Sequence, residues 1–170
     1  LQANSRLSTF AFPAGAVPSI MTRLQAVVES AQAEVSAPLL VMDTAPAAVL
    51  GAWDDPVVKA HPSALIANVG NFHCLAFQYR DGDFVRLVEH HTGLLNPERL
   101  TGLIERLADG SLRHEEVFAG HGHGAVVLDQ TPVALDFVAV TGPRRAMLNG
   151  ARLPLYLAVP HGDQMMAGCF

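Results

Sequence analysis

Two groups of residues in this chain have the types and spacing for chemistry: a set of histidines, and a short turn rich in carboxamides. Eight histidines occur in 170 residues. His73 leads one strand-like run, His90 and His91 close the next, and His121-Gly-His123 sits in a glycine-rich loop. A His-x-His loop offers two imidazoles, and a strand histidine with Glu89 would complete a three- or four-ligand site for zinc or iron. We therefore expect metal ligands among Glu89, His90, His91, His121 and His123, with His121, His123 and one of the adjacent strand histidines converging. Imidazoles that cap loops or donate to a phosphate are the alternative. The turn is Asn68-Val-Gly-Asn71, between two apolar runs. Gly70 lies between two carboxamides and lets backbone amides come close to an anion, since no side chain intervenes. Asn68, Gly70, Asn71 and His73 are the candidate phosphate contacts. The same composition also makes an ordinary tight corner between buried strands.

The elements around these residues must position them. Asp81-Gly82 is a strong two-residue hairpin signal between the run ending at Arg80 and the run from Phe84 to His91. An unbroken ladder from that turn pairs Arg80 with Asp83, Cys74 with Glu89 and His73 with His90. In that register His73 and His90 share one face, while Glu89 and His91 share the other with Phe72 and Cys74. Upstream, Ser19 is placed to cap a helix to Glu34 with Ile20, Leu24, Val27 and Val28 on one side. A short buried strand follows over 38–43, then a small-residue helix over 45–52 capped by Thr44, then a linker over 53–63. Asp43, at the strand end, can orient a catalytic water or cap the next helix. Downstream, Asn96-Pro97 opens a helix over 98–108, closed by Asp109-Gly110. Residues 114–124 read as loop or short helix, and 125–128, 136–140 and 155–159 as strands. Thr141 to Arg145 form a turn, whose Arg144 and Arg145 can clamp a phosphate or carboxylate or simply solvate the surface. Asp163 is expected to cap a terminal helix with Met165 and Met166 inward, a catalytic base being the alternative.

Composition narrows the class. Half the residues are hydrophobic and 16% are charged, so a substantial core is expected. A net charge of -5 with a single lysine argues against a nucleic-acid partner. No apolar run reaches the roughly 18 residues of a membrane span. Cys74 and Cys169 make no disulfide framework, paired-cysteine zinc motif or three-cysteine cluster motif, and a cytoplasmic setting is expected. No nucleophile elbow, Walker loop or dinucleotide fingerprint occurs. The chain opens on Leu1 and stops within an apolar stretch, which we read as a portion of a longer protein.

Three segments, in this order, resemble the second half of the sugar-kinase, heat-shock-chaperone and actin superfamily. Asp43 to Ala52 looks like its small-residue connecting helix, and Asn68 to Asn71 like its second phosphate turn. Phe137 to Arg145 looks like its adenosine-site strand and turn, with His161 to Gly168 as a second connecting helix. Three meandering strands followed by alternating helices and strands also match the ribonuclease-H-like order. The resemblance implies an α/β, ribonuclease-H-like mixed sheet over 63–170, cut at its C-terminus, after a lead-in and the end of a first lobe over 1–62. It implies ATP or ADP with magnesium, a small-molecule ligand that is a nucleotide, the preceding lobe as partner, and compatibility with an oligomer. Asn68, Gly70, Asn71 and His73 would hold phosphate, Thr141, Gly142 and Arg144 would lie by the nucleoside, and Asp43 would be catalytic. The first phosphate turn would precede Leu1, so this portion alone is expected to be inactive as a phosphotransferase or ATPase. Asn68 stands where the superfamily has an Asp that helps hold hydrated magnesium, and Pro143 where it has a second glycine. The Asn68 departure favours a non-catalytic ligand-sensing module as an alternative, beside a histidine-cluster hydrolase or redox protein.

A narrower resemblance covers nearly the whole chain. Asn-Val-Gly-Asn-Phe-His, Glu-His-His-Thr-Gly, Gly-His-Gly-His-Gly, Thr-Gly-Pro-Arg-Arg and Pro-His-Gly-Asp-Gln-Met-Met resemble an uncharacterised family often labelled pyruvate formate-lyase activating-enzyme-related. The label implies radical S-adenosylmethionine chemistry, which needs three cluster cysteines. Two are present, so we expect a different chemistry here.

Overall fold

The computed structural model describes residues 6–158. Short elements come first: β1 (Ala11–Pro13), α1 (Thr22–Glu34), β2 (Leu40–Met42), α2 (Thr44–Trp53) and α3 (Pro56–Lys59). The main sheet and its helices follow: β3 (Ser63–Val69), β4 (His73–Arg80), β5 (Asp83–His91), α4 (Pro97–Asp109), α5 (His114–Ala119), β6 (Gly124–Val127), β7 (Val138–Thr141) and β8 (Leu155–Leu157). β1 and β2 pair as a separate small sheet, so the stretch expected only as a lead-in contributes a strand. The other six strands form one mixed sheet in the order β6-β5-β4-β3-β7-β8. Neighbours from β3 to β6 run antiparallel, whereas β7 and β8 run parallel to β3. The expected mixed α/β class holds. The helix expected from Asp163, with Met165 and Met166, lies outside the described residues.

Both faces of the sheet are covered, which is why its central strands are apolar on alternate and intervening positions alike. Leu65, Ala67, Val69, Ala76, Val88, Val138 and Val140 pack against Leu100, Ile104 and Leu107 of α4 and Val117 of α5. Ile66, Leu75, Phe77, Tyr79, Phe84 and Ala139 pack against Val49 and Ala52 of α2, Val58 of α3, and Leu7. α4 forms where its caps require. Asn96 Oδ1 accepts the Arg99 N–H at 2.8 Å, Pro97 takes the first position, and Gly110 adopts φ 79° just past the end.

Two other helix starts depart from expectation. α1 begins at Thr22 with Met21 before it, Ser19 is not its cap, and Ile20 and Val27 are exposed while Leu24 and Val28 are buried. The cap of α2 is Asp43 rather than Thr44, because a carboxylate one residue earlier reaches the first free amide. Asp43 Oδ1 accepts the Thr44 N–H at 2.7 Å, and both oxygens accept from Arg23 at 2.6 and 2.8 Å. Partial burial pushes this carboxyl up, but the Arg23 and Thr44 hydrogen bonds outweigh it and leave it below its ordinary value. Asp43→Ala is expected to lower stability by about 1 kcal/mol in urea titrations. A depressed carboxyl contributes above its unfolded value near about 3.9 and loses that contribution as pH falls. The difference between wild type and Asp43→Ala should therefore shrink on acidification.

The β4–β5 hairpin turns at Asp81 (φ 55°) and Gly82 (φ 88°), the positive-φ pair of a two-residue turn. Its ladder is not unbroken, however. Tyr79 pairs with Phe84 and Gln78 with Arg86, so Val85 is an extra, bulged residue. The reason is Arg86. A regular ladder would set it opposite Phe77 in the aromatic layer; the bulge turns it to the α4 face, where acceptors wait. There it is fully buried and donates to Gln78 Oε1 at 2.7 Å, Leu107 O at 3.1 Å, Asp129 O at 2.7 Å, and the carbonyls of Ala108 and Thr131. Beyond the bulge every pairing moves by one: Leu75 faces Glu89, Cys74 faces His90, and His73 faces His91. The expected His73–His90 pairing is thereby corrected.

Candidate functional site

The end of β3, the start of β4, the end of β5, the start of β6 and the end of β7 all meet at one end of the sheet. Asn68 and Thr141 are neighbours there, in register on parallel strands. By strand alternation both take the face of Ile66, Leu75 and Ala139, which is also the face of His73, Glu89 and His91. The Asn68 turn and the Thr141 turn touch. Val69 O accepts the Arg144 N–H at 2.9 Å, and Gly142 (φ 99°) lies so close that a Cβ there would stand 2.5 to 2.8 Å from the Val69 backbone.

Not every expected anion contact is oriented as expected. The Gly70 N–H donates to His73 O at 2.9 Å, and Phe72 O accepts the Thr92 N–H at 2.8 Å. Gly70 thus closes the corner instead of presenting its amide outward. Asn71, Phe72 and Arg144 are exposed, Asn68 is half-buried and Thr141 is buried. Arg145 Nη1 donates to Gly142 O at 2.8 Å and braces the turn, leaving Arg144 as its solvent-facing cation. Asp43 is occupied as the α2 cap.

The histidines form a second centre on the same face. Ligand nitrogens of His73, His91 and His123 all lie within 4.8 Å of one another. Ring centroids are 5.0 Å apart for His73 and His91, 4.9 Å for His73 and His123, and 4.5 Å for His91 and His123. Glu89 Oε1 is 3.1 Å from His73 Nδ1. The Glu89 carbonyl accepts the His123 main-chain N–H at 3.0 Å, so one residue contacts the His73 ring and holds the backbone of His123. Partial burial, followed by the neighbouring His123 and His73, lowers the His91 pKa and favours its neutral form.

The loop that carries His123 is shaped by close packing. Gly122 abuts the buried His90 ring, where a Cβ would come within 2.5 Å of Cδ2, and its N–H donates to Val117 O at 2.8 Å. His121 adopts φ 64°. His90 faces α4, with Nδ1 at 3.1 Å from His91 O. Of the expected ligands, His91 and His123 come together with Glu89 beside them, whereas His90 and His121 stand outside the triad. His73, expected as a phosphate contact, completes it. The bulge at Val85, which no polarity break in the sequence marks, is what brings it opposite His91.

Residues 1–147 match the family described as “Putative pyruvate format-lyase activating enzyme (DUF1786)”, and the chain belongs to that family. No curated protein matches the chain. Among the described residues, no helix is long and apolar enough to cross a membrane.

Proposed function

We propose that this chain is a nucleotide-binding lobe of the actin-like superfamily, with a ribonuclease-H-like sheet. The observation that carries the reading is the strand order β5-β4-β3-β7-β8, a meander followed by two strands parallel to its first member. That order sets the Asn68 and Thr141 turns side by side at the C-terminal ends of adjacent parallel strands, where α/β sheets receive ligands. Asn68 and Asn71 would contact phosphate oxygens, Arg144 would supply positive charge, and Gly142, pressed against Val69, would hold the two turns together beside the nucleoside. Asn68 itself brings no carboxylate for direct magnesium ligation, so the metal would arrive on the nucleotide and the function is binding. Calorimetry with magnesium and ADP or ATP should give saturable one-to-one binding that Arg144→Ala weakens; a flat titration would end this reading.

The family description names an activating enzyme, whose radical chemistry would need an iron–sulfur cluster. Cys74 does not fit that role. It is buried on the α4 face, burial pushes its thiol up to about 12, and no second cysteine accompanies it among the described residues.

A further inference from the structure

We propose that His73, His91 and His123 bind one first-row divalent metal ion, zinc foremost, with Glu89 as the residue that positions His73. Three nitrogens on a tetrahedral zinc, at about 2.0 to 2.1 Å from the ion, stand about 3.3 Å from one another. The triad's nitrogens, within 4.8 Å, need only modest ring rotations to reach that spacing. Donor chemistry selects the ion class: three imidazoles and no thiolate suit zinc, copper, nickel or iron, and not calcium or magnesium. Cys74 points to the other face and cannot join.

The site is built, not a chance gathering of surface rings. His73 and His91 are paired residues at the ends of adjacent strands, held by the β4–β5 ladder. His123 enters from a loop whose path is set by the Gly122–His90 contact and by the hydrogen bond to Glu89 O. Glu89 takes Nδ1 of His73 and so leaves Nε2 for the ion, the carboxylate–histidine–metal arrangement that fixes tautomer and ring orientation. His73 and His123 are exposed, so a bound ion keeps a solvent-facing position for water or a ligand oxygen. Zinc in such a site lowers the pKa of its water to about 7, which provides a hydroxide nucleophile for hydrolytic chemistry. None of these residues is needed for the nucleotide contacts proposed above, so the two readings stand or fall separately.

The test uses untagged chain stripped with chelator and titrated with zinc against a competing chelator. One equivalent should bind at micromolar affinity or tighter, and the cobalt form should show the intense visible bands of tetrahedral coordination. His91→Ala and His123→Ala should each weaken zinc by more than about tenfold and abolish the cobalt spectrum. Glu89→Gln should weaken it by about 10- to 100-fold. His121→Ala, and His61→Ala, whose ring stacks on Phe137 away from the triad, should bind as wild type does. Circular dichroism without metal shows that each variant folds, and His123→Ala, in an exposed loop, decides the matter should His91→Ala fail to fold. Absence of saturable uptake, or uptake that survives His123→Ala, overturns the site; wild-type affinity in Glu89→Gln overturns the positioning role.

Discussion

Arg86→Met is expected to destabilise the fold by about 4 kcal/mol, because three acceptors lose their donor at about 1 to 3 kcal/mol each. Arg86 is fully buried and donates to five acceptors: Gln78 Oε1 and the carbonyls of Leu107, Ala108, Asp129 and Thr131. Leu107 O and Ala108 O, in the last turn of α4, also accept the Gly110 N–H at 3.3 Å and the Val133 N–H at 3.2 Å, so the other three acceptors depend most on the guanidinium. Methionine fills the volume but donates to none of Gln78 Oε1, Asp129 O and Thr131 O, and each acceptor left unsatisfied costs about 1 to 3 kcal/mol. Arg86→Lys keeps the charge with three donors in place of five, so its loss should be smaller but clear. Thermal melts should show Arg86→Met falling by roughly 10 °C. A loss below about 1 kcal/mol in urea titrations would mean that water replaces the guanidinium.

The second large effect is expected at Gly142→Ala, about 4 kcal/mol. Its φ of 99° lies where a side chain is strained, which costs about 1 to 3 kcal/mol. The added Cβ would also stand 2.5, 2.7 and 2.8 Å from the O, C and N of Val69, which is backbone and cannot rotate away. Overpacking of that kind adds about 1 to 3 kcal/mol. Gly150→Ala separates the two causes. It has φ 83° and nothing within 4 Å of the added atom, so only the conformational cost of about 1 kcal/mol applies. Similar losses for both variants, measured by chemical denaturation, would show that the Val69 contact carries no weight. Because Gly142 abuts the strand that ends in the Asn68 turn, its replacement should also weaken nucleotide binding in calorimetry.

Local chemistry made much of this fold readable. Asn96, Pro97 and Gly110 mark the ends of α4 by side-chain and φ requirements that no distant contact alters. Asp81-Gly82 marks the hairpin for the same reason. The bulge was not readable, because Phe84 and Val85 are both apolar and no break in polarity marks the extra residue. Of the five acceptors around Arg86 that cause it, all but Gln78 come from segments far along the chain. One unseen residue was enough to pair His73 with the wrong histidine and to miss it as a member of the triad. The three-residue strand β1 was equally hidden, being too short to show a period, whereas β2 falls within the strand read over 38–43, though its Leu40 is exposed rather than buried. The placement of β6 beside β5 and of β7 beside β3 depends on long-range pairing, which local pattern does not encode.

Val85 behaves like an untranslated letter in the strand, and this gives the hairpin an uneven tolerance of deletions. Losing residue 85 straightens the ladder yet leaves Arg86 against Gln78 and His91 against His73, so everything beyond stays in frame. Losing a residue between 87 and 90 forces a choice. The strand can absorb the bulge, which keeps the distal histidine in place but swings the guanidinium into the aromatic layer, or it can keep the guanidinium and turn the distal imidazole to the opposite side.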